Sequence, residues 1–115
     1  MALFRRSGKP RLGAKDAAVL DALRSHGADL TKPRDTVAYL YFRSRADAEA
    51  AAGEAAGDGW EIDVREPLPQ YPDDWPLVCR RDAATTAELV AAMSSRFAAL
   101  AAAHGGRYDG WEAAL

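Results

Sequence analysis

Two histidines, one cysteine and a few adjacent carboxylates are the side chains in this 115-residue chain with the clearest potential for acid–base, nucleophilic or metal chemistry. His26 and His104 each precede a glycine, Gly27 and Gly105, and sit where a helix is expected to end. A helix C-terminus favours the imidazolium form. Neither histidine has a second one four residues away, and a single cysteine cannot complete a zinc set. Cys79 stands beside Arg80 and Arg81, and a neighbouring arginine can lower a thiol pKa. In an apolar strand, though, a cysteine serves as a small hydrophobe. Asp73-Asp74 and Glu61/Asp63 are carboxylate pairs with no acid–base partner suggested by the sequence around them. No glycine-rich phosphate loop occurs, because Gly53, Gly57 and Gly59 fit a helix end instead. The reading is of a chain with no catalytic residues, no cofactor and no metal.

The elements that position these residues follow from periodicity and punctuation. Val19, Leu20 and Leu23 share one face of a short helix from Asp16 to His26, with Asp16 as N-cap and Gly27 just past its end. Pro33 forbids continuation and biases Lys32 toward extension. Thr36-Val37-Ala38-Tyr39-Leu40-Tyr41-Phe42 is apolar on both faces, as a central strand should be. Ser44 caps a second helix to Ala56, with Ala48, Ala51, Ala52 and Ala55 inward.

Trp60 to Arg65 alternates, which predicts a half-buried edge strand. Trp60, Ile62 and Val64 should face the core, and Glu61 and Asp63 the solvent. Pro67, Pro69 and Pro72 make a rigid loop, and a third strand to Arg80 should begin at or just after Pro76. Thr85-Thr86-Ala87-Glu88 opens a third helix to about His104, with Leu89, Met93, Phe97 and Leu100 as its inner stripe. Arg107 to Ala114 is the last strand.

The resulting β-α-β-β-α-β order points to an α+β ferredoxin-like sandwich. Four antiparallel strands, in spatial order 4-1-3-2, carry two helices on one face, with an extra helix at the N-terminus. Leu40, Phe42, Ile62, Leu77, Leu89, Met93, Phe97 and Leu100 should form the core.

Composition bounds the function. Hydrophobic residues are 49 % of the chain, enough for one core without disulfides. One cysteine fits a reducing compartment, and no apolar run suits a signal peptide or a membrane span, so a cytoplasmic protein is expected. Residues 1–34 hold eight Lys/Arg against three Asp, and residues 35–115 hold seven Arg against fourteen Asp/Glu. Residues 1–13 have no apolar period and are read as a disordered basic head. Residues 14–115 form a single domain whose main part is acidic. Such a surface repels phosphate backbones and attracts basic protein segments.

The same fold hosts acylphosphatases, but their asparagine is missing, since the chain has no asparagine at all. It also hosts RNA-recognition modules, and Tyr39 and Tyr41 on one strand face could stack bases. Glu61 and Asp63 on the same sheet argue against that. Small-ligand binding is the other alternative, and would need a deep apolar pocket with polar groups at its rim.

Two segments carry more information than composition does. Asp29-Leu30-Thr31-Lys32-Pro33-Arg34 leads into the first strand, and Gly105-Gly106-Arg107-Tyr108-Asp109-Gly110-Trp111-Glu112 ends the chain's last strand. With Trp60-Glu61-Ile62, they resemble the family of the regulator of ribonuclease E activity B, over roughly residues 16–115. The resemblance implies a ferredoxin-like, non-catalytic protein that binds the endoribonuclease ribonuclease E and restrains RNA cleavage. No direct contact with nucleic acid or membrane is expected; the oligomeric state is open. Tyr108 and Trp111 lie three apart, so on a regular strand they face opposite sides. One should join the core and the other should lie outside. The four residues Tyr108 to Trp111 either lock the strand to the sheet or offer an aromatic anchor to a partner. On the anchor reading the partner-binding residues are Tyr108, Asp109, Trp111, Glu61 and Asp63.

Overall fold

The structure, a computed structural model, describes residues 12–115. Seven elements follow one another: α1 (Ala14–Ser25), β1 (Arg34–Phe42), α2 (Arg45–Gly57), β2 (Glu61–Val64), β3 (Trp75–Ala83), α3 (Ala87–Ala103) and β4 (Arg107–Ala113). The strands form one antiparallel sheet in the order β2-β3-β1-β4. This is the expected α+β, ferredoxin-like arrangement, with α1 added before the sheet. Most of the expected basic head lies outside the described residues. Leu12 packs against the core and Gly13 caps α1, so these two belong with the domain.

The core lies between the sheet and the helices. Ala38, Leu40 and Phe42 of β1 and Leu77 and Cys79 of β3 meet Ala48, Ala51, Ala52 and Ala55 of α2 and Phe97 and Leu100 of α3. The alanine face of α2 lets that helix approach closely. Ser44 accepts a bond from the Asp47 amide, at 3.1 Å, and so fixes where α2 starts. The connection between α1 and β1 is also tied down. Arg34 donates to the carbonyls of Asp29, at 2.6 Å, and Ala114, at 3.1 Å, joining that connection to the end of β4.

Several expectations are corrected. Asp16 does not cap α1; Gly13 does, and Asp16 lies buried in the first turn. β3 begins at Trp75, one residue before Pro76. The Pro76 carbonyl accepts from the Arg65 amide at 3.0 Å, so its backbone polar groups face β2 where that strand ends. The missing N–H therefore interrupts no bond to β1.

Ile62 is 42 % exposed. It pairs with Cys79 and so shares the core face, but it stands at the sheet edge beside a helix that offers only alanines. Leu89 is 52 % exposed, and Met93 only partly buried. The inner stripe of α3 is Val90, Phe97, Leu100 and Ala101; Leu89 and Val90 both fit a helical spacing to Phe97, and Val90 faces inward. The N-cap of α3 is Thr86, whose hydroxyl accepts from the Leu89 amide at 3.3 Å.

Candidate protein-binding surface

The strand that ends the chain is held by two aromatics, and a bulge decides where they point. Tyr39 pairs with Gly110, but the next residue, Leu40, pairs with Tyr108. Asp109 is therefore the extra residue of a β-bulge. Gly110 has φ +111°, a conformation side chains rarely adopt. The inserted residue reverses the alternation. Tyr108 and Trp111 both face the core, opposite Leu40 and Ala38, so the expectation of one inward and one outward aromatic is corrected.

Trp111 is 7 % exposed, and its indole N–H donates to the buried Asp16 carboxylate at 2.9 Å. Tyr108 stacks on Phe97 with ring centroids 5.5 Å apart, and burial pushes its hydroxyl pKa up to about 12. The two residues sew β4 to α1 and α3. Asp16 was not foreseen in this role. A lone acid inside a short amphipathic helix reads from sequence as a cap or a solvated charge.

The preceding glycines have separate reasons. Gly105 has φ +70° at the end of α3. Gly106 has an ordinary φ but no room, since a Cβ there would stand 2.3 Å from the Tyr41 carbonyl and 2.5 Å from the Phe42 ring.

Opposite the helices, no described helix covers the sheet. Val37, Tyr39 and Tyr41 of β1 and Pro76, Val78 and Arg80 of β3 alternate away from the core positions. Val37 and Val78 are buried yet stand outside the core cluster, so they form the floor of this second face. Tyr39 donates its hydroxyl to Glu112 at 2.9 Å, and that bond, more than burial, raises its pKa.

The loop between β2 and β3 brings exposed Leu68 and Tyr71 beside Tyr39 and Tyr41, around a trough of about 440 Å³. Arg107 lies in this trough. Its guanidinium is 4.8 Å from the centre of the Tyr41 ring, and its two terminal nitrogens reach both Asp74 oxygens at 3.2 and 3.3 Å.

Glu61 and Asp63 are exposed on β2, as expected, and Asp109 is exposed at the bulge. Asp63 pairs with Arg65 at 2.8 Å, whereas Glu61 and Asp109 have no basic partner among the described residues. Thus Glu61, Asp63 and Asp109 remain available on the surface, while Tyr108 and Trp111 support it from behind. Tyr71 and Leu68, which sequence reading passed over, are its exposed apolar side chains. Their signal was two large apolar residues set between prolines in a loop too rigid to bury them.

No three His, Cys, Asp or Glu side chains converge on a metal position among the described residues. Cys79 is buried, and burial pushes its thiol up to about 12, away from nucleophilic use.

The family model of the regulator of ribonuclease activity B matches residues 14–113. The chain belongs to this family. The match starts at the first residue of α1 and stops at the last residue of β4, so the matched span takes in the leading helix and both residues of the Asp16–Trp111 bond that secures it in this chain. The family is a regulatory one rather than a catalytic one. No curated protein matches the chain. No described helix is long and apolar enough to cross a membrane.

Proposed function

We propose that this chain regulates RNA degradation by binding an endoribonuclease, ribonuclease E by the resemblance of its motifs, and restraining cleavage without doing chemistry itself. The observation that carries this reading is a family match over the whole fold, joined to a sheet face left open and edged by Glu61, Asp63 and Asp109. Tyr108 and Trp111 contribute indirectly, by fixing the bulge that presents Asp109. The acidic edge speeds encounter with a basic segment, and the exposed apolar residues of the same face slow its departure. The acids also disfavour direct RNA stacking on Tyr39 and Tyr41.

The test is a fluorogenic RNA cleavage assay with purified full-length ribonuclease E. Cleavage falls as the chain is added, and titration calorimetry shows a direct complex without RNA. Unchanged cleavage together with no heat of binding contradicts the proposal.

A second reading has one observation in its favour. A groove of about 570 Å³ between α3 and the end of β3 is lined by Trp60, Leu89, Met93 and Phe97, and the Thr85 hydroxyl is buried there without a partner. Such a groove suits a small amphipathic ligand. Native mass spectrometry of the purified chain decides it, since a retained small molecule would appear as added mass that Leu89→Arg removes.

A further inference from the structure

The open face carries an arginine of its own, and the way it is held is informative about the chemistry the face can offer. Arg107 is gripped by a ring on one side and by both oxygens of a carboxylate on the other. A planar guanidinium suits this pairing, because it stacks on an aromatic and forks onto two oxygens at once. The trough repeats the ingredients beside it. Tyr39 and Tyr71 supply further rings, Glu66 and Asp109 further carboxylates, and Leu68 an apolar rim. Tyr71 is 59 % exposed and Leu68 57 % exposed, so both are open to a partner.

We propose that this trough docks an arginine-bearing, extended segment of a partner protein, one guanidinium seating between Tyr71 and Asp109. The inference rests on the regulatory reading above and deepens it by naming the chemistry of the partner segment. Charge complementarity selects the occupant. Glu61 and Asp109 have no ion-pair partner among the described residues, and Arg65, Arg80 and Arg107 already pair with Asp63, Asp35 and Asp74. The face therefore has acid to spare, which favours a cationic segment over RNA. Specificity for arginine over lysine follows from geometry, since an ammonium neither stacks flat on Tyr71 nor bridges two oxygens.

The probe is a short fluorescein-labelled peptide in which arginines alternate with proline and leucine. It is titrated into the full, isotope-labelled chain, with fluorescence anisotropy for affinity and amide shifts for position. The expected shifts fall on β1, β3 and the loop carrying Leu68 and Tyr71. Tyr71→Ala and Asp109→Asn each weaken binding about tenfold. Replacing every arginine by lysine weakens it similarly, and Leu89→Ala, on the helical side, changes nothing. Equal binding of the lysine peptide, shifts on the helical side, or no binding at all overturns the proposal. So does an RNA oligonucleotide that moves the same amides, or self-association of the chain through this face in sedimentation.

A last comparison separates this inference from the regulatory reading. If Tyr71→Ala and Asp109→Asn bind ribonuclease E as well as the wild type does, the trough is not the docking site, though the regulator stands. If the wild type binds the peptide in the trough but not ribonuclease E, the trough stands and that partner is lost.

Discussion

Asp16 and Trp111 show how one polar contact can fasten an element. The carboxylate is buried, and the indole N–H reaches it at 2.9 Å from the other end of the chain. Trp111→Phe keeps most of the apolar volume and leaves a buried acceptor without its donor, which costs about 1–3 kcal/mol. Urea denaturation should show that loss, and Asp16→Ala in the Trp111→Phe background should add less than it does alone. Independent, additive losses would mean the two residues do not act as a pair.

Gly106→Ala should be worse than Gly53→Ala. Nothing stands within 4 Å of a Cβ at Gly53, whereas at Gly106 the added atom collides with backbone at 2.3 Å. Overpacking of this kind costs roughly 1–3 kcal/mol. A helix-interior glycine such as Gly53 should instead gain up to about 1 kcal/mol on becoming alanine. Thermal melts of the two variants should shift in opposite directions.

Cys79 and Tyr108 add a pH dependence. Burial raises both, each to about 12. In the unfolded chain they titrate at about 8.5 and 10. Each keeps its proton longer in the folded state, so its contribution to stability is full below the unfolded value and is lost as pH rises toward the folded one. Melting temperature should therefore decline between about pH 9 and pH 12, less steeply in Cys79→Ala once its lower starting stability is taken into account. A thiol reagent at about pH 8 should modify Cys79 only after denaturation.

Among the elements, β4 departs most from its sequence reading. Strand alternation predicts opposite faces for residues three apart, and Tyr108 and Trp111 break the rule because Asp109 is an inserted residue. The glycine at position 110 was the available signal, since an isolated strand glycine marks a bulge or a close approach. The bulge is what occurs, since nothing stands within 4 Å of a Cβ at Gly110. Deleting Asp109 should restore regular alternation with Tyr108 and Trp111 two apart, so both aromatics should stay on the core face. Trp111 emission and the raised Tyr108 titration should therefore be retained. A red-shifted Trp111 emission, or a Tyr108 that titrates at its ordinary value, would mean that Asp109 is not the inserted residue.

The other elements were legible because their signals were redundant. β1 combines β-branched and aromatic residues with a proline before it, and α2 combines a serine cap with an alanine stripe. Ile62 and Leu89 were misjudged for a common reason. Facing can be read from period, but cover depends on what lies opposite, and neither the alanine face of α2 nor the competition between Leu89 and Val90 is visible along one strand or one helix.

At the scale of the whole molecule, one face of the sheet is closed by helices, and no described helix covers the other, which is the proposed partner surface. The fold was legible from the order of elements, and the family from two short segments and a strand. Most of the partner surface was not. Tyr39 and Tyr41 come from β1, Tyr71 from a proline-rich loop and Asp109 from a bulge, and only the folded register brings them together. Electrostatics across such a face should act on association. Raising salt from about 0.05 M to about 0.3 M shortens the screening length and should slow the on-rate while leaving the off-rate nearly constant.

The central claim is that ribonuclease E is held by the open face, and one measurement addresses it most directly. Surface-binding kinetics of ribonuclease E are compared for the wild type and for the triple variant Glu61→Gln, Asp63→Asn, Asp109→Asn, with circular dichroism confirming that both are folded. All three side chains are exposed, so the fold should be unaffected. The account predicts a bound wild type, and a triple variant whose association is about tenfold slower at low salt and nearly equal at high salt. Association of the folded triple variant at the wild-type rate under both salt conditions contradicts it.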